Sequence, residues 1–518
     1  MRPTMRDEFE HSLRRHATRI ALEFEGPDAQ LHHLTYGELD RWSRAVAHQL
    51  VLAGVGRGDV VALYTRTGPE FVVVDLAIAR IGAVKLPVNT MLPAATVAYI
   101  LRAGRARALV AAASMAATAD IAAVGLDLLR MEVLDGPATG AVPLAACPAG
   151  EPPPLPDPGV GPADPAALYF TGGTTGRPKG VLHTQVSTVA LHHTQLLEAE
   201  IAPEDRLLLL TPLAHAAGLF AQSAIIRGAT CLLVEGFDAA VTVAALVDRA
   251  VTWMFLVPTM IYRMLDVLAA RPPGPLTLRT VVYGAAPIAP SRLEQALDLL
   301  GPVFVQLYGQ TESPNWGTRL AKSDHDPKRP ELLASCGQAS IAADVKVVDD
   351  DGTALPAGDT GEICLRTPYL LREYVGDPEA TAAKFLGDWI RTGDVGVLDD
   401  RGYLYLRDRK NDMVISGGMN VYCREVEDVL ARHPQVGAVA VIGVPHDDWG
   451  EAVHAIVVPA GDGFSADELL VWARPQLAAY ARPKSVETVA DLPETPFGKV
   501  DKKALRAPHW ADRDRGIG

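Results

Sequence analysis

The sequence predicts an α/β protein with a smaller α+β region towards its C-terminal end. Strand-like and helix-like segments alternate through most of the first 350 residues, which is typical of folds with largely parallel sheets. After Asp349, turn dipeptides and short alternating strands become frequent, and they indicate an antiparallel, barrel-like piece. From about residue 412, short apolar strands mix with helices, which predicts the α+β region.

Length and composition limit the possible functions. A chain of 518 residues exceeds the size at which one hydrophobic core stops growing, so we expect two or more domains. The 48 basic and 62 acidic residues give a formal net charge of −14, which disfavours general binding to nucleic acid or anionic membranes. A polyanionic ligand must therefore be held by a local site.

The sequence also indicates a soluble, cytoplasmic protein. Its five cysteines contain no CxxC pair, which argues against a disulfide framework and for a reducing compartment. The first residues have no apolar signal segment. The apolar stretch 71–88 contains Asp75, Arg80 and Lys85 and is too charged for a membrane span.

Local patterns predict several elements of the first region. Residues 34–53 have helical spacing behind Thr35, which is a suitable N-cap. Residues 59–64 and 83–88 have the composition of strands, and the alanine-rich residues 111–123 fit a helix.

The later segments are predicted in the same way. The proline-rich residues 143–165 predict an extended surface connection, because proline fixes the backbone and removes hydrogen-bond donors. The strands expected after it are 362–366, 403–407, 438–444 and 452–459, and the helices are 424–433 and 466–480.

The strongest local signal is a glycine- and threonine-rich loop at Tyr169–Gly180. A predicted strand enters this segment, which contains four glycines, three threonines, Arg177 and Lys179. Glycine lets the backbone approach an anion closely, and successive N–H groups with threonine hydroxyls form an anion-binding nest. The loop therefore predicts a ligand that carries phosphate, against the simpler interpretation as a solvated turn.

The sequence lacks the motifs of several other phosphate-binding proteins and of several hydrolases. No GxxxxGK[ST] can be placed on the loop, so a P-loop kinase or ATPase is disfavoured. The chain also lacks GxSxG, HExxH and a GxGxxG behind a strand. Serine hydrolases, zinc proteases and dinucleotide oxidoreductases therefore lose support.

The loop resembles the signature of the adenylate-forming superfamily, in the branch of acyl-CoA synthetases and aryl-CoA ligases. Further motifs follow in the order of that family, so the resemblance covers nearly the whole chain. They are PLAHAAG (212–218), YGAAP (283–287), LYGQTE (307–312), RTGD (391–394), DRKNDMVISGGMNVYCREVE (408–427) and TPFGK (495–499).

The resemblance implies a fold of two parts. Residues 1–410 would form a large N-terminal domain of two stacked α/β subdomains plus a distorted β-barrel. Residues 411–518 would form a small mobile α+β domain that pivots within 408–412. Asn411 lies at the pivot, where many relatives have Asp or Lys, and asparagine can still serve because it tolerates unusual backbone angles.

The resemblance also implies an acid–thiol ligase. A carboxylate and ATP would give an acyl-adenylate and pyrophosphate, with Mg²⁺ as cofactor, and the acyl group would pass to coenzyme A. An alternative is a stand-alone enzyme that loads a carrier protein. A catalytically inactive binding relative is disfavoured, because Lys499, Glu312 and Asp394 are all present. A monomer or homodimer is expected.

The implied nucleotide site has several parts. Thr171, Thr174 and Thr175 would hold the phosphates, and Glu312 would ligate Mg²⁺ with Thr171, because a hard cation prefers oxygen ligands. Asp394 would accept hydrogen bonds from the ribose with support from Arg409, and Tyr308 would stack on the adenine. The remaining implied contacts are Gly172, Gly173, Gly176, Lys179, Gly284, Ala285, Ala286, Gly309, Gln310 and Thr311.

The implied acyl pocket is mostly apolar. Its expected residues are His215, Gly218, Val257, Tyr283, Gly284, Ser313 and Trp316. His215 would border the carboxylate, although a lone histidine is otherwise more often a packed one. No acid follows His215 to pair an α-ammonium, so an amino acid substrate is disfavoured. We expect an apolar monocarboxylate: medium-chain, branched, alicyclic or aromatic. His192 and His193 on a helical run are interpreted as structural.

Lys499 would bridge the substrate carboxylate and the α-phosphate, a task that suits an ammonium on a long stem. The alternative is a solvated helix start shared with Lys502 and Lys503. Ser416, Gly417 and Gly418 would line the pantetheine tunnel. Other implied CoA contacts, which could equally be ordinary surface residues, are Trp449, Tyr480, Arg482 and Lys484.

Overall fold

The computed structural model describes residues 3–26, 30–133, 141–171, 178–270, 274–286, 288–409, 412–416, 418–446, 448–494 and 500–511. These residues form two compact units. Unit 1 comprises those within 3–171, 178–344 and 365–390, and unit 2 those within 345–364 and 391–511. None of the helices in the described part of the chain has the length and apolar character needed to cross a bilayer.

The helices within these described ranges are α1 (Met5–Arg15), α2 (Tyr36–Leu52), α3 (Pro69–Ile81), α4 (Ala94–Ala103), α5 (Ala116–Ala123), α6 (Gln185–Glu198), α7 (Ala216–Arg227), α8 (Ala239–Asp248), α9 (Pro258–Ala270), α10 (Pro290–Leu300), α11 (Pro330–Leu333), α12 (Pro378–Lys384), α13 (Cys423–Leu430), α14 (Ala466–Ala473) and α15 (Lys502–Arg506). Short 3₁₀ turns are Ala113–Met115, Lys322–Asp324 and Ala507–Trp510.

The strands within the same ranges are β1 (Ile20–Glu25), β2 (Leu31–Thr35), β3 (Val60–Tyr64), β4 (Val84–Pro87), β5 (Ala106–Ala112), β6 (Leu129–Val133), β7 (Val142–Pro143), β8 (Pro165–Thr171), β9 (Lys179–Thr184), β10 (Arg206–Leu209), β11 (Thr230–Leu233), β12 (Trp253–Leu256), β13 (Thr280–Tyr283), β14 (Phe304–Gln310), β15 (Ser313–Leu320), β16 (Gln338–Ala339), β17 (Asp344–Val348), β18 (Thr360–Arg366), β19 (Glu373–Tyr374), β20 (Phe385–Leu386), β21 (Trp389–Leu398), β22 (Leu404–Arg409), β23 (Val414–Ser416), β24 (Met419–Val421), β25 (Val436–His446), β26 (Gly450–Pro459) and β27 (Ser485–Thr488).

Unit 1 contains two large mixed sheets. The described strands of the first sheet run in the order β16-β15-β14-β13-β12-β10-β11-β1-β2, and those of the second in the order β19-β9-β8-β4-β3-β5-β6-β7. In the first sheet β10, β12, β13 and β14 are parallel neighbours, so their carboxyl ends lie at one edge. In the second sheet β8 and β9 form an antiparallel hairpin.

Helices join the two sheets of unit 1 through one apolar core. This core combines Val61 of β3 and Leu207 of β10 with buried residues of α2, α3, α6 and α7. Phe220 of α7 packs on Trp253 and Phe255, with ring centroids 4.9 and 5.1 Å apart. Strands of both sheets thus bury apolar faces against shared helices, which is the layered α/β arrangement that the alternation predicts.

Unit 2 has its own strands and core. Antiparallel pairing of β21 with β22 agrees with the predicted antiparallel piece after Asp349, and β17 and β18 belong to the same sheet. Further along, the described strands of a second sheet run in the order β24-β23-β26-β25, with β27 on β26. Apolar residues of this sheet pack with α13 and α14, as expected for the α+β region.

The local predictions are mostly confirmed. Thr35 caps α2 with a capping box, in which its hydroxyl accepts from the Glu38 N–H and the Glu38 carboxylate accepts from the Thr35 N–H. Residues 59–64 and 83–88 contain β3 and β4. His192 is buried in α6 between Gln222 and Ser223, which agrees with a structural role.

Two local predictions are wrong in extent. The alanine-rich residues 111–123 are not one helix, because Ala111 and Ala112 complete the buried strand β5 in register with β6 and the helix begins at Ala116. The predicted helix 466–480 ends at Ala473, since Pro475 cannot donate the hydrogen bond that would continue it.

A buried ion pair in unit 1 provides a test of this packing. The Lys85 ammonium lies 3.1 Å from the Asp75 carboxylate, and Gln222 donates to the same carboxylate group. Both charged side chains are over nine-tenths buried, and burial raises the pKa of Asp75. Removing one charge would leave the other buried without a partner.

We expect Lys85→Met to destabilise the protein by about 3–5 kcal/mol, because Asp75 then loses its cation inside the core. The double variant Asp75→Leu/Lys85→Met should recover most of that loss, since neither charge remains. Thermal unfolding of the wild type, both single variants and the double variant measures the coupling. Strictly additive effects would contradict the account.

Candidate functional site

Several of the predicted nucleotide and acyl residues of unit 1 lie at the carboxyl ends of parallel strands. His215 follows β10 and is the N-cap residue of α7, and Val257 follows β12. The segment 284–286 follows β13, and the segment 308–312 comprises the last residues of β14 and the two residues after it. Ligands of open α/β sheets bind at this kind of edge, so the topology brings together residues that are far apart in sequence.

The turn after β13 is narrow and strained. A Cβ at Gly284 would lie 2.5 Å from the Leu307 carbonyl oxygen of β14, so only glycine fits there. Ala285 has φ of +65°, in the left-handed region that costs a non-glycine residue about 1–2 kcal/mol. Backbone strain of this kind concentrates at functional sites, and Ala286 completes the turn.

Glu312 is buried at the end of this edge and is held by two residues that the sequence analysis missed. The Tyr374 hydroxyl donates to Glu312 Oε1 at 2.5 Å, and the Lys384 ammonium lies 3.9 Å from the same oxygen. Lys384 also donates to Gln310 Oε1 at 3.0 Å. Burial, and then the negative charge of Glu312, raise the pKa of Tyr374, so its hydroxyl stays protonated as a donor.

The β8–β9 hairpin holds the two ends of the predicted phosphate loop and also contacts Tyr374 and Thr311. Thr171 ends β8 opposite Lys179 of β9, and the Lys179 ammonium lies 5.2 Å from the ring centroid of Tyr374. His183 Nε2 lies 2.8 Å from the Thr311 carbonyl oxygen. Burial lowers the pKa of His183 to about 4, so a neutral imidazole donates this bond at pH 7.

Six of the predicted loop residues lie outside the described residues: Gly172, Gly173, Thr174, Thr175, Gly176 and Arg177. The ends of that loop are therefore what the structure places. Thr171 and Lys179 are paired in register, and Tyr374 of β19 pairs with Val181 of β9. Both ends of the loop thus belong to the sheet that also positions the Tyr374 side chain.

The other predicted acyl residues are buried. Tyr283 shares a hydrogen bond of 3.0 Å with His325, and Trp316 donates to Gln195 Oε1 at 3.2 Å. Ser313 Oγ lies 3.0 Å from the Thr367 hydroxyl. Gly218 is so closely packed that a Cβ there would lie 2.1 Å from the Leu213 carbonyl oxygen. These residues form the packed support behind the edge at which His215 and Val257 lie.

In unit 2, Asp394 and Arg409 face each other as predicted. They are paired in the β21–β22 ladder, and the Arg409 Nε lies 3.6 Å from Asp394 Oδ1. Asp394 is buried, and the preceding Gly393 has φ of +77°, which favours glycine. Glu362, which the sequence analysis missed, fixes this part of β21 by accepting from Arg391 at 2.8 Å and from the Gly393 N–H at 3.2 Å.

Part of the predicted CoA set is also brought together in unit 2. The Lys484 ammonium lies 4.5 Å from the Trp449 ring centroid, and the His446 ring stacks on Trp449 with centroids 4.3 Å apart. Tyr480 is exposed, and Arg482 donates to a backbone carbonyl at 3.1 Å. An aromatic side chain with an adjacent cation can accept a base or a phosphate.

The remaining predictions concern the tunnel and the pivot. Ser416 and Gly418 border the β23–β24 turn, where Gly418 has φ of +79°. Asn411, Gly417 and Lys499 lie outside the described residues.

The fold, the buried acid at a sheet edge of unit 1 and the aspartate–arginine pair of unit 2 are those expected of an adenylate-forming enzyme. The chain belongs to the AMP-binding enzyme family, whose family model matches residues 9–375. The model of the C-terminal domain of AMP-binding enzymes matches residues 425–499. The predicted superfamily, the α/β fold class and the assignment as an enzyme are therefore confirmed.

Similar proteins agree with this assignment. A medium/long-chain fatty acid–CoA ligase of Mycobacterium tuberculosis is 40% identical over 68% of this chain and 62% of that protein, so the match spans less than two thirds of that relative. A feruloyl-CoA synthase of an Amycolatopsis species is 37% identical over 91% of this chain and 93% of its own length. Among solved structures, an amide bond synthetase from Marinactinospora thermotolerans has a TM-score of 0.89 at 32% identity, covering 97% of this chain and 99% of that one.

A buried acid beside Arg409 gives unit 2 a pH dependence. Asp408 accepts from the Arg409 N–H at 2.8 Å and from the Cys423 N–H at 2.5 Å, and burial raises its pKa to about 6. The folded protein therefore binds this proton more tightly than the unfolded chain, so the stabilisation is present at low pH and is lost as pH rises towards 6.

We expect Asp408→Asn to remove that loss, which is about 3 kcal/mol, because the amide cannot ionise. Thermal unfolding at intervals between pH 4 and pH 8 measures it. The wild-type midpoint should fall relative to the variant between pH 4 and pH 6 and stay constant above. A constant difference across the range would show that Asp408 does not titrate there.

Proposed function

We propose that this chain is an AMP-forming acid–thiol ligase that converts a carboxylate and ATP to an acyl-adenylate and pyrophosphate, and then transfers the acyl group to coenzyme A with release of AMP. The observation that carries the proposal is Glu312, a buried carboxylate placed beside the phosphate-loop hairpin by Tyr374. Membership of the AMP-binding family and relatives named CoA ligases or synthases support the same reaction.

The chemistry explains why such a site is needed. A carboxylate is a poor acyl donor because oxide would be its leaving group, whereas AMP leaves readily from an acyl-adenylate. The carboxylate must approach a triphosphate against charge repulsion, so the enzyme's main work is positioning and electrostatic stabilisation. In an acidic protein, Lys179 and Lys384 supply local positive charge at this edge.

The residues present fit a magnesium ion bound with the nucleotide. Both described contacts of Glu312 fall on Oε1, and Mg²⁺ usually takes one or two carboxylate ligands together with substrate phosphates. Glu312, with the Thr171 hydroxyl, would hold the ion, which would neutralise charge on the phosphate oxygens. Tyr374 and Lys384 would keep the carboxylate oriented.

The other nucleotide contacts are assigned in both units. In unit 1, we assign the turn 284–286 and Tyr308 to the adenine and Thr311 to the α-phosphate. In unit 2, we assign Asp394 with Arg409 to the ribose. Strain at Ala285 supports a functional role for its turn.

We propose an apolar monocarboxylate as the acid. His215 would border its carboxylate, and the residues that follow at the start of α7 are Ala216, Ala217 and Gly218, which carry no charge to pair with a second polar group. Medium-chain, branched, alicyclic and aromatic acids all fit this description.

The test is a panel of such acids with ATP and Mg²⁺, scored for AMP release with and without coenzyme A. The proposal expects at least one apolar acid to release AMP, with turnover stimulated by coenzyme A. Acid-dependent pyrophosphate exchange that coenzyme A does not affect would instead indicate an amine or a carrier protein as acceptor. Absence of AMP release with every acid would overturn the proposal.

We also propose that residues 411–518 act as a lid that pivots within 408–412 and carries Lys499 to the α-phosphate for the first step. After the lid turns, Ser416, Gly417 and Gly418 would line the tunnel for pantetheine. Trp449, Tyr480, Arg482 and Lys484 would contact the CoA nucleotide.

Lys499→Ala should lower acid-dependent pyrophosphate exchange by about two or more orders of magnitude, because it removes a charge that acts in adenylation. Thioester formation from a supplied acyl-adenylate should be retained, since that step does not use this lysine. Lys503→Ala, which changes an exposed lysine of the same segment, is the matched control. Near-normal exchange in Lys499→Ala would refute the assigned role.

A further inference from the structure

Three possible metal ligands meet in unit 2, and none of them is a residue assigned to the ligase reaction. Among the residues that the structure describes, His454 of β26, Glu487 of β27 and His509 of the Ala507–Trp510 turn place their ligand atoms within 4.8 Å of one another. Glu487 Oε2 lies 3.4 Å from His454 Nε2 and 3.7 Å from His509 Nε2.

His454 is oriented as a ligand rather than as an ordinary core histidine. His454 is only 6% exposed, and its Nδ1 lies 2.7 Å from the Oγ of Ser485. Ser485 is the residue paired with His454 in the β26–β27 ladder. Its Nε2 is buried, makes no hydrogen bond and faces Glu487 and His509. Histidine ligands of metals commonly use one ring nitrogen in a supporting hydrogen bond and the other for the metal.

The imidazole rings of His454 and His509 lie side by side, with centroids 5.0 Å apart. A ligand nitrogen of each ring and a carboxylate oxygen of Glu487 can therefore face a single ion.

Contacts outside the cluster hold His509 in place. The adjacent Trp510 donates from its indole N–H to the Gly443 carbonyl oxygen of β25 at 2.9 Å. Arg506, one turn earlier, bonds Asp412 at 2.6 Å. The segment that carries His509 is thus fixed on the sheet of unit 2 independently of Glu487.

We propose that His454, Glu487 and His509 bind a divalent transition-metal ion, with Zn²⁺ as the best match. Two imidazole nitrogens and a carboxylate are a ligand set that Zn²⁺ accepts, whereas Mg²⁺ and Ca²⁺ prefer oxygen ligands alone. Tetrahedral zinc bonds of about 2.0–2.1 Å place ligand atoms about 3.3 Å apart, close to the observed distances of 3.4 and 3.7 Å. A bound ion would tie the Ala507–Trp510 turn to β26 and β27.

The test uses the full-length protein after chelator treatment and dialysis. Zn²⁺ is titrated in competition with a chromogenic chelator, for the wild type and for His509→Gln and Glu487→Gln. His446→Gln, which changes a histidine of the same unit outside the cluster, is the matched control. Thermal unfolding with and without Zn²⁺ gives a second readout that does not depend on enzymatic activity.

We expect the wild type and His446→Gln to bind one Zn²⁺ tightly and to gain thermal stability from it. His509→Gln and Glu487→Gln should lose at least about tenfold in affinity and lose the stabilisation, and Ser485→Ala should weaken binding by about tenfold through the orientation of His454. Equal Zn²⁺ affinity in all variants, or no uptake by the wild type, would overturn the proposal and leave Glu487 as an ordinary ion-pair partner.

Discussion

The hydrogen bond from Tyr374 to Glu312 is the contact on which the site of unit 1 depends. Tyr374 belongs to the sheet that carries the phosphate-loop hairpin, and Glu312 follows β14 of the other sheet. Two further bonds fix the same junction, from the Leu371 N–H to the Glu312 carbonyl oxygen at 2.7 Å and between His183 and the Thr311 carbonyl oxygen at 2.8 Å. The carboxylate of Glu312 is therefore held next to the β8–β9 hairpin by contacts within the protein itself.

A buried ion pair lies next to the strand that enters the loop. Lys85 lies 5.8 Å from the ring centroid of Tyr169, on that strand, and is itself paired with Asp75. Such a pair adds little stability by itself, but the loss of one partner would leave the other charge buried and unpaired. Charge pairing thus acts in the sheet of β8, whereas backbone strain at Ala285 acts at the edge of the other sheet.

The sequence predicts those features that short stretches of chain determine. The cap at Thr35, the loop strand and the motif residues such as Glu312 follow from local pattern or from resemblance. Tyr374 could not be found in this way, because it lies 62 residues from Glu312 and only sheet pairing brings them together. The helix predicted over residues 111–123 is wrong at Ala111 and Ala112 for a related reason. Both residues lie in β5, where burial between neighbouring strands overrides the helical preference of alanine.

The central claim is that Tyr374 positions Glu312 for the nucleotide and its metal. Its most direct test is the KM for MgATP in pyrophosphate exchange, measured for Tyr374→Phe beside Tyr64→Phe, a buried tyrosine elsewhere in unit 1. The account expects Tyr374→Phe to raise the KM for MgATP by about tenfold or more, with the KM for the acid unchanged and the control unaffected. An unchanged KM for MgATP in a folded Tyr374→Phe enzyme would contradict it.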